Sequence, residues 1–260
     1  MIRVSLRISK AVKAARLLLC LAAAGACLAQ DTGPAALVIT YRCAPGQRVA
    51  LRQYMLGSGL RQFRRWKEAG IVADYRVLFS RYVDTDGWDM MSLLTFSTYS
   101  GLEKWRAVES ATPAGLSTDA LALTFAVNSF PALLVRRNAS DAAPVQPVYL
   151  VIPYTISVPT AEYSQYVDEY VRPQLDALLE TGGLANYGLY LQRYGGARPW
   201  DSLLVLEYLD EEALGDREKM MAKVRERLSG NPVWQARSDR EPGIHVEKQA
   251  AVADELVLGR

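Results

Sequence analysis

The chain has 260 residues, enough for one large core or two small domains. Half of them are hydrophobic and 22% are charged, a balance that excludes an intrinsically disordered chain. The formal charge of +2 depends on Arg3, Arg7, Lys10, Lys13 and Arg16; without those five groups the remainder carries about −3, which argues against a nucleic-acid-binding surface.

The same five cations precede an apolar run, Leu17 to Ala29, and no acidic residue occurs before Asp31. A basic start, a short apolar stretch and small residues at its end read as a secretory signal over residues 1–29, too short for a membrane-spanning helix. Cleavage is expected after Ala29. Lipoprotein processing at Cys27 stays open, although Ala24 stands where such sites usually carry leucine. The expected setting is the periplasm or the exterior. After cleavage Cys43 is the one remaining thiol, so an internal disulfide is not expected.

The first element, Leu37 to Cys43, is a β-rich apolar run. A helical stripe follows at Leu51, Met55, Phe63 and Trp66, ending near Gly70. Two strands, Ala73 to Tyr82 and Trp88 to Ser97, flank a five-residue hairpin loop. A second helix opens at a capping-box spacing from Ser100 and breaks near Pro113. "FPALLVRR" from Phe130 is a fourth strand, and a small polar linker spans residues 138–147.

The pattern then repeats. Tyr149 to Thr155 is a strand. A helix follows with Tyr163, Tyr166, Val167, Tyr170, Val171, Leu175 and Leu178 on its stripe, and Pro173 is expected to kink or split it. Ala185 to Tyr194 and Trp200 to Leu209 form the hairpin. Asp210 caps a helix carrying Met221, Val224 and Leu228, stopped by Gly230 and Pro232, and "EPGIHVEK" from Glu241 is the last strand. At a constant offset of 112, Tyr75 meets Tyr187, and Arg81, Tyr82, Trp88 and Asp89 meet Arg193, Tyr194, Trp200 and Asp201. Apolar positions agree between them, including Phe96 with Tyr208. The chain is a duplicated domain-sized unit, divided as residues 30–137, linker 138–147, and residues 148–260.

The order β-α-β-β-α-β, twice, defines an α+β protein of two tandem ferredoxin-like units. Each unit leaves one sheet face bare, so the two are expected to pack sheet to sheet as a pseudo-twofold pair. The element order, the G-x-x-x-Y second strand and the W-D third strand resemble the dimeric α/β-barrel superfamily, over about Leu37 to Lys248. That group includes antibiotic-biosynthesis-type monooxygenases and NIPSNAP-like and EthD-like domains. The resemblance implies the barrel fold and leaves activity open between enzymes and binders.

The repeated R-Y/W-D has two readings. A symmetric hairpin loop sets Arg81 opposite Asp89 and Tyr82 opposite Trp88, and likewise Arg193 with Asp201 and Tyr194 with Trp200, as a register-fixing clasp. Alternatively Tyr75, Arg81, Tyr82, Trp88, Tyr187, Arg193, Tyr194 and Trp200 line a ligand cavity at the barrel mouth. His245, the one histidine, joins that candidate set. It lies on a strand, whereas haem-binding members of the superfamily take their iron ligand from a helix. No zinc cluster, Ser-His-Asp set or nucleotide-binding glycine motif is present in the sequence, so no cofactor is expected. The leading expectation is a non-enzymatic domain binding a small hydrophobic or aromatic ligand or a protein partner. The alternatives are a cofactor-independent monooxygenase-like enzyme and a structural envelope protein. The assembly is expected to be a monomer or a homodimer. An enzyme is expected to turn a polar group inward in only one of the two copies.

Overall fold

In the first strand, β1 (Ala35–Cys43), neither face alternates with polar residues; nearly every side chain is buried. Such a run belongs inside a sheet covered on both sides, and the computed structural model shows how that comes about. It describes residues 34–194, 199–239 and 243–259. The expected signal segment, Gln30, Cys27 and most of the second hairpin loop lie outside the described residues, as do Glu241 and Pro242.

After β1 comes α1, a helix in three stretches, Arg48–Tyr54, Met55–Gly59 and Leu60–Glu68. Then come β2 (Asp74–Ser80), β3 (Met90–Phe96), α2 (Tyr99–Ala111), a 3-10 turn at Pro113–Gly115, α3 (Thr118–Leu121) and β4 (Thr124–Ala139). The second copy runs β5 (Val148–Ile156), α4 (Thr160–Tyr166, Val167–Val171 and Arg172–Glu180), β6 (Leu184–Gln192), β7 (Ser202–Tyr208), α5 (Glu211–Gly215), α6 (Arg217–Leu228), α7 (Pro232–Ser238), β8 (His245–Glu247) and β9 (Ala251–Glu255). This is an α+β protein with two ferredoxin-like units.

The strands close on themselves. Antiparallel pairing runs β1–β3–β2–β9–β5–β7–β6–β4 and back to β1. The long β4 pairs with β1 through Leu133 and with β6 from Ala132 onward, so it hands the first sheet to the second. β9 does the same in reverse, between β5 and β2. The two units are thus one eight-stranded barrel. Closure removes the exposed sheet edges expected from two separate sheets. β9 lies beyond the last strand expected from the sequence, Glu241 to Lys248: β8 ends at Glu247, and the separate strand β9 makes the closing contact.

Three cores result. Side chains facing into the barrel, including Val38, Leu78, Met91, Phe130, Val151, Trp200 and Val205, fill its interior. Each unit adds a core between its helices and the outer sheet face.

The middle stretch of α1 and of α4 is a π turn, Met55–Gly59 and Val167–Val171, at the same offset of 112. Its trace is a five-residue step in the apolar stripe, Met55 to Leu60 and Tyr170 to Leu175, all four buried. Pro173 follows the second π turn, but the first copy has the turn without a proline. The interruption therefore belongs to the duplicated fold rather than to Pro173. Two further details differ from the sequence reading. Helix α2 begins two residues early, with Thr98 rather than Ser100 at its N-cap. The turn after α6 is followed by α7, whose N-cap Asn231 accepts hydrogen bonds from the N–H groups of Val233 and Trp234.

The hairpin clasp is corrected. Phe79 faces Met90 and Leu191 faces Ser202, which sets Ser80 rather than Arg81 against Asp89, and Gln192 rather than Arg193 against Asp201. The loop is asymmetric by one residue, and that slip moves Arg81 away from Asp89. Arg81 instead pairs with Asp254 of β9 and Glu211 of α5.

Candidate functional site

The two helix–sheet cores come from equivalent residues but are built differently. In the first copy aromatic rings close the space. Phe63 and Trp66 meet edge to face at 5.1 Å, Trp66 and Trp105 at 5.2 Å, and Phe96 and Trp105 at 6.4 Å between centroids. Each such pair contributes ~0.5–1.5 kcal/mol beyond its burial. Gly115, with φ +73°, lets the chain cross this cluster; a Cβ there would stand 3.1–3.4 Å from Phe63, Trp66 and Trp105. The Tyr41 hydroxyl donates to the carbonyl of Ala114 at 2.6 Å, which pins the crossing.

In the second copy the residues 112 positions on are Leu175, Leu178, Tyr208 and Arg217 in place of Phe63, Trp66, Phe96 and Trp105. Rings become aliphatic or polar, and a cleft of about 140 Å³ opens between α4, α6 and the sheet. One end is an aromatic box around His245. The His245 ring meets Tyr154 edge-on at 4.7 Å and lies 5.4 Å from Tyr166 and 6.3 Å from Tyr163. Tyr166 stacks on Tyr170 at 5.2 Å, and Tyr170 on Trp234 at 5.1 Å. The helical tyrosine stripe is both core and cleft wall.

The Tyr163 hydroxyl donates to Ser202 Oγ at 2.9 Å, and burial pushes its pKa up to about 12 despite that bond. It is a neutral donor at any physiological pH. Gln174 is buried and spends one amide N–H on the carbonyl of Tyr170. At the other end Tyr208 is fully buried, and its hydroxyl makes no hydrogen bond of normal geometry among the described residues. The Arg217 guanidinium faces it and eases the rise in pKa that burial imposes. Arg225 and Glu247 complete the rim.

A second polar cluster lies at one end of the barrel. Arg76 reaches Glu207 at 3.2 Å and Glu255 at 3.6 Å, its guanidinium lies over the Tyr149 ring, and the Tyr149 hydroxyl donates to Glu255 at 2.6 Å. A cavity of about 90 Å³ adjoins it, bordered by Arg76, Tyr190 and Gly188. That is room for about three waters.

The fold separates most of the candidate residues read from the sequence but brings Tyr75 and Tyr187 together on the wall of the cavity of about 90 Å³. Trp200 packs on Phe130 at 5.3 Å inside the barrel, with Trp88 against the same core. Tyr82 and Tyr194 point outward, 70% and 59% exposed. Arg81 is held in ion pairs, and Arg193 lies over the Tyr194 ring. Tyr75 packs on Phe63 at 5.5 Å, and Tyr187 donates to Asp176 at 2.8 Å. Of the nine, His245 lines the cleft of the second copy. The other cleft residues include Tyr163, Tyr166 and Tyr170 of the helical stripe, a spacing that a purely buried helix face also shows. The signal for the cleft was the loss of bulk between copies, Trp66 to Leu178 above all. No group of three or more His, Cys, Asp or Glu side chains able to hold a metal ion occurs among the described residues.

No protein-family model matches the sequence, and no curated protein does. Solved structures do match. A monooxygenase-like protein of Lactobacillus acidophilus NCFM superimposes with a TM-score of 0.55 at 10% identity, over 86% of this chain and 95% of its own. An anthrone oxidase-like protein gives 0.55 at 11%, over 89% and 98%. A monooxygenase-like protein of Fusobacterium nucleatum gives 0.51 at 12%, over 86% and 93%. At such identities the likeness is one of fold. The chain has the dimeric α/β-barrel (ferredoxin-like) fold, with both halves on one polypeptide.

Proposed function

We propose that the protein binds a small one-ring aromatic molecule in the cleft of its second copy. The observation that supports this most is the asymmetry of the duplication. Equivalent positions are closed by tryptophan and phenylalanine in one copy and opened by leucine, tyrosine and arginine in the other. Packing alone gives no reason to open one core, since vacated volume costs stability. The volume sets the ligand's size: a cavity of ~150 Å³ takes up benzene, and this one is about 140 Å³. Haem, which some members of the superfamily bind, does not fit it, and His245 approaches from a strand with its ring against Tyr154. The wall suits a flat ring with polar substituents, because tyrosine and aliphatic side chains share it with the polar groups of Gln174, Tyr208, Arg217, Arg225 and His245. The basic, apolar leader supports action outside the cytoplasm.

A second reading, oxidation of the bound ring, is favoured by one feature: the hydroxyl of Tyr208 and the guanidinium of Arg217 stand where the first copy has Phe96 and Trp105. The structural neighbours named as monooxygenase-like or anthrone oxidase-like share the fold and support it to that extent. Oxygen consumption in the presence of a bound phenol separates the two readings.

The test is a closing substitution. Leu178→Trp restores the residue of the first copy and fills the cleft. Ligand-observed NMR with phenol and benzyl alcohol is expected to show binding to the natural protein and its loss in L178W, with the fold intact by circular dichroism. Equal signals from both proteins, or none from either, would sink the reading.

A further inference from the structure

The aromatic pair Phe96, at the end of β3, and Trp105, within α2, is replaced 112 positions on by Tyr208, at the end of β7, and Arg217, the first residue of α6. In the first copy the pair is a ring contact within the buried aromatic core. In the second it brings a buried hydroxyl and, from the half-buried Arg217 on the cleft wall, a guanidinium. Resting on the cleft reading above, we infer that the ligand carries an anionic group, most simply a carboxylate, bound between the Tyr208 hydroxyl and Arg217 with Arg225 beside them.

Three observations carry this. The Tyr208 hydroxyl is fully buried, lines the cleft and makes no hydrogen bond of normal geometry among the described residues. A buried donor left in that state destabilises the fold unless something else accepts from it. Arg217 faces the same point. Its ion pair is with Glu218, the next residue, whose side chain is 77% exposed and turned to solvent. Finally, Arg217, Met221 and Arg225 follow one another at four-residue steps, one stripe of α6, and all three border the cleft. Arg225 makes no ion pair among those described, and the carboxylate on the facing rim is Glu247.

A carboxylate supplies what the group lacks. It offers an acceptor to the hydroxyl and two oxygens to a guanidinium fork, and hydrogen bonds between charged partners are about twice as strong as neutral ones. The ring then lies toward Tyr166, Tyr170 and His245. The ligand class is an aromatic carboxylate with one ring, such as a benzoate or a phenylalkanoate.

The experiment is calorimetric titration of the full chain with three pairs of probes: benzoate and benzyl alcohol, phenylacetate and 2-phenylethanol, 3-phenylpropionate and 3-phenylpropanol. At least one carboxylate is expected to bind ten-fold or more tightly than its alcohol. Tyr208→Phe, which reproduces the first copy's residue, and Arg217→Gln should each reduce that ratio by about ten-fold, through loss of carboxylate affinity. If R217Q does not fold, Y208F and the natural protein decide alone. Alcohols that bind as well as the carboxylates, or a ratio untouched by Y208F and R217Q, would overturn the inference and leave the cleft reading standing. Failure of every probe would remove both.

Discussion

Asp89 accepts the backbone N–H of Cys43 at 2.7 Å, and its repeat, Asp201, accepts that of Ile156 at 3.0 Å. This contact explains why the W-D pair is written twice. The last N–H of the first strand in each unit faces no strand partner, and an aspartate from the hairpin satisfies it. Arg48 donates its Nε–H to the other oxygen of Asp89 at 2.8 Å. Removing a partner from a buried donor costs ~1–3 kcal/mol. D89A is therefore expected to lower unfolding stability by about 2 kcal/mol in urea titration, and D201A by about 1–2 kcal/mol. Asp89→Asn keeps an acceptor and should lose less. Equal stability of D89A and the natural protein would show that water replaces the carboxylate.

Gly115 holds a left-handed backbone against three aromatic rings, so an added methyl is strained twice, by φ and by contact. Gly115→Ala should cost about 2–3 kcal/mol. Gly182, also at positive φ, has open space where its Cβ would be, so Gly182→Ala should cost about 1 kcal/mol through backbone strain alone. The comparison, made by thermal denaturation, separates packing from conformation. Similar losses would show that the first-copy core yields easily.

The barrel-end cluster predicts a pH dependence. Burial raises the Glu255 pKa above its ordinary value of 4.5, with Arg76 and Tyr149 offsetting part of the rise. In the window between 4.5 and the raised value, the folded protein holds a proton that the unfolded chain has lost. Stability therefore falls as pH rises through that window. Asp168, hydrogen-bonded to Arg136, and Glu169 are held below the usual carboxylate range, so their contributions are lost at lower pH, as the solution is acidified. Denaturation midpoints of E255Q and the natural protein should converge near pH 4, with E255Q gaining as pH rises above 5. Parallel curves would contradict the assignment. Arg76→Met leaves two carboxylates facing each other and should cost about 3 kcal/mol, near the low end for breaking a buried pair.

Much of this fold was legible because duplication makes its own alignment. Tyr75 and Tyr187, or Trp88 and Trp200, keep register without any structure. Strand order within each unit followed from the element sequence. The register of the hairpins did not, because nothing in "VDTDG" marks which residue leaves the ladder first, and one residue decides which side chain meets Asp89. Barrel closure was hidden for a different reason. β4 and β9 pair with strands of the other copy, and such long-range partners leave no local pattern. The cleft was hidden by its chemistry. Tyr163, Tyr166 and Tyr170 at helical spacing are what a core helix also shows. Only the comparison of copies, ring against leucine and Trp105 against Arg217, separates a filled core from an open one.

The closing role of β9 can be tested apart from the site. Its residues Ala253 to Glu255 pair with β2, Ala251 to Ala253 pair with β5, and Leu256 N–H continues the ladder to the carbonyl of Val77. Leu256 is buried in the first copy's core. Deleting residues 251–260 removes one of eight staves. It leaves the flanks of β2 and β5 with unpaired N–H and C=O groups beside an opened apolar interior, which is a template for pairing with another chain. The truncated protein is expected to form dimers or larger species by light scattering after size exclusion, with a broadened unfolding transition. Leu256→Ala keeps the ladder and loses only packing, so it should keep the natural protein's assembly state and lower stability by about 2–3 kcal/mol. If the truncated protein keeps the natural protein's assembly state and its sharp transition, the barrel does not depend on β9, and the two sheets hold together through β4 and the packed interior alone.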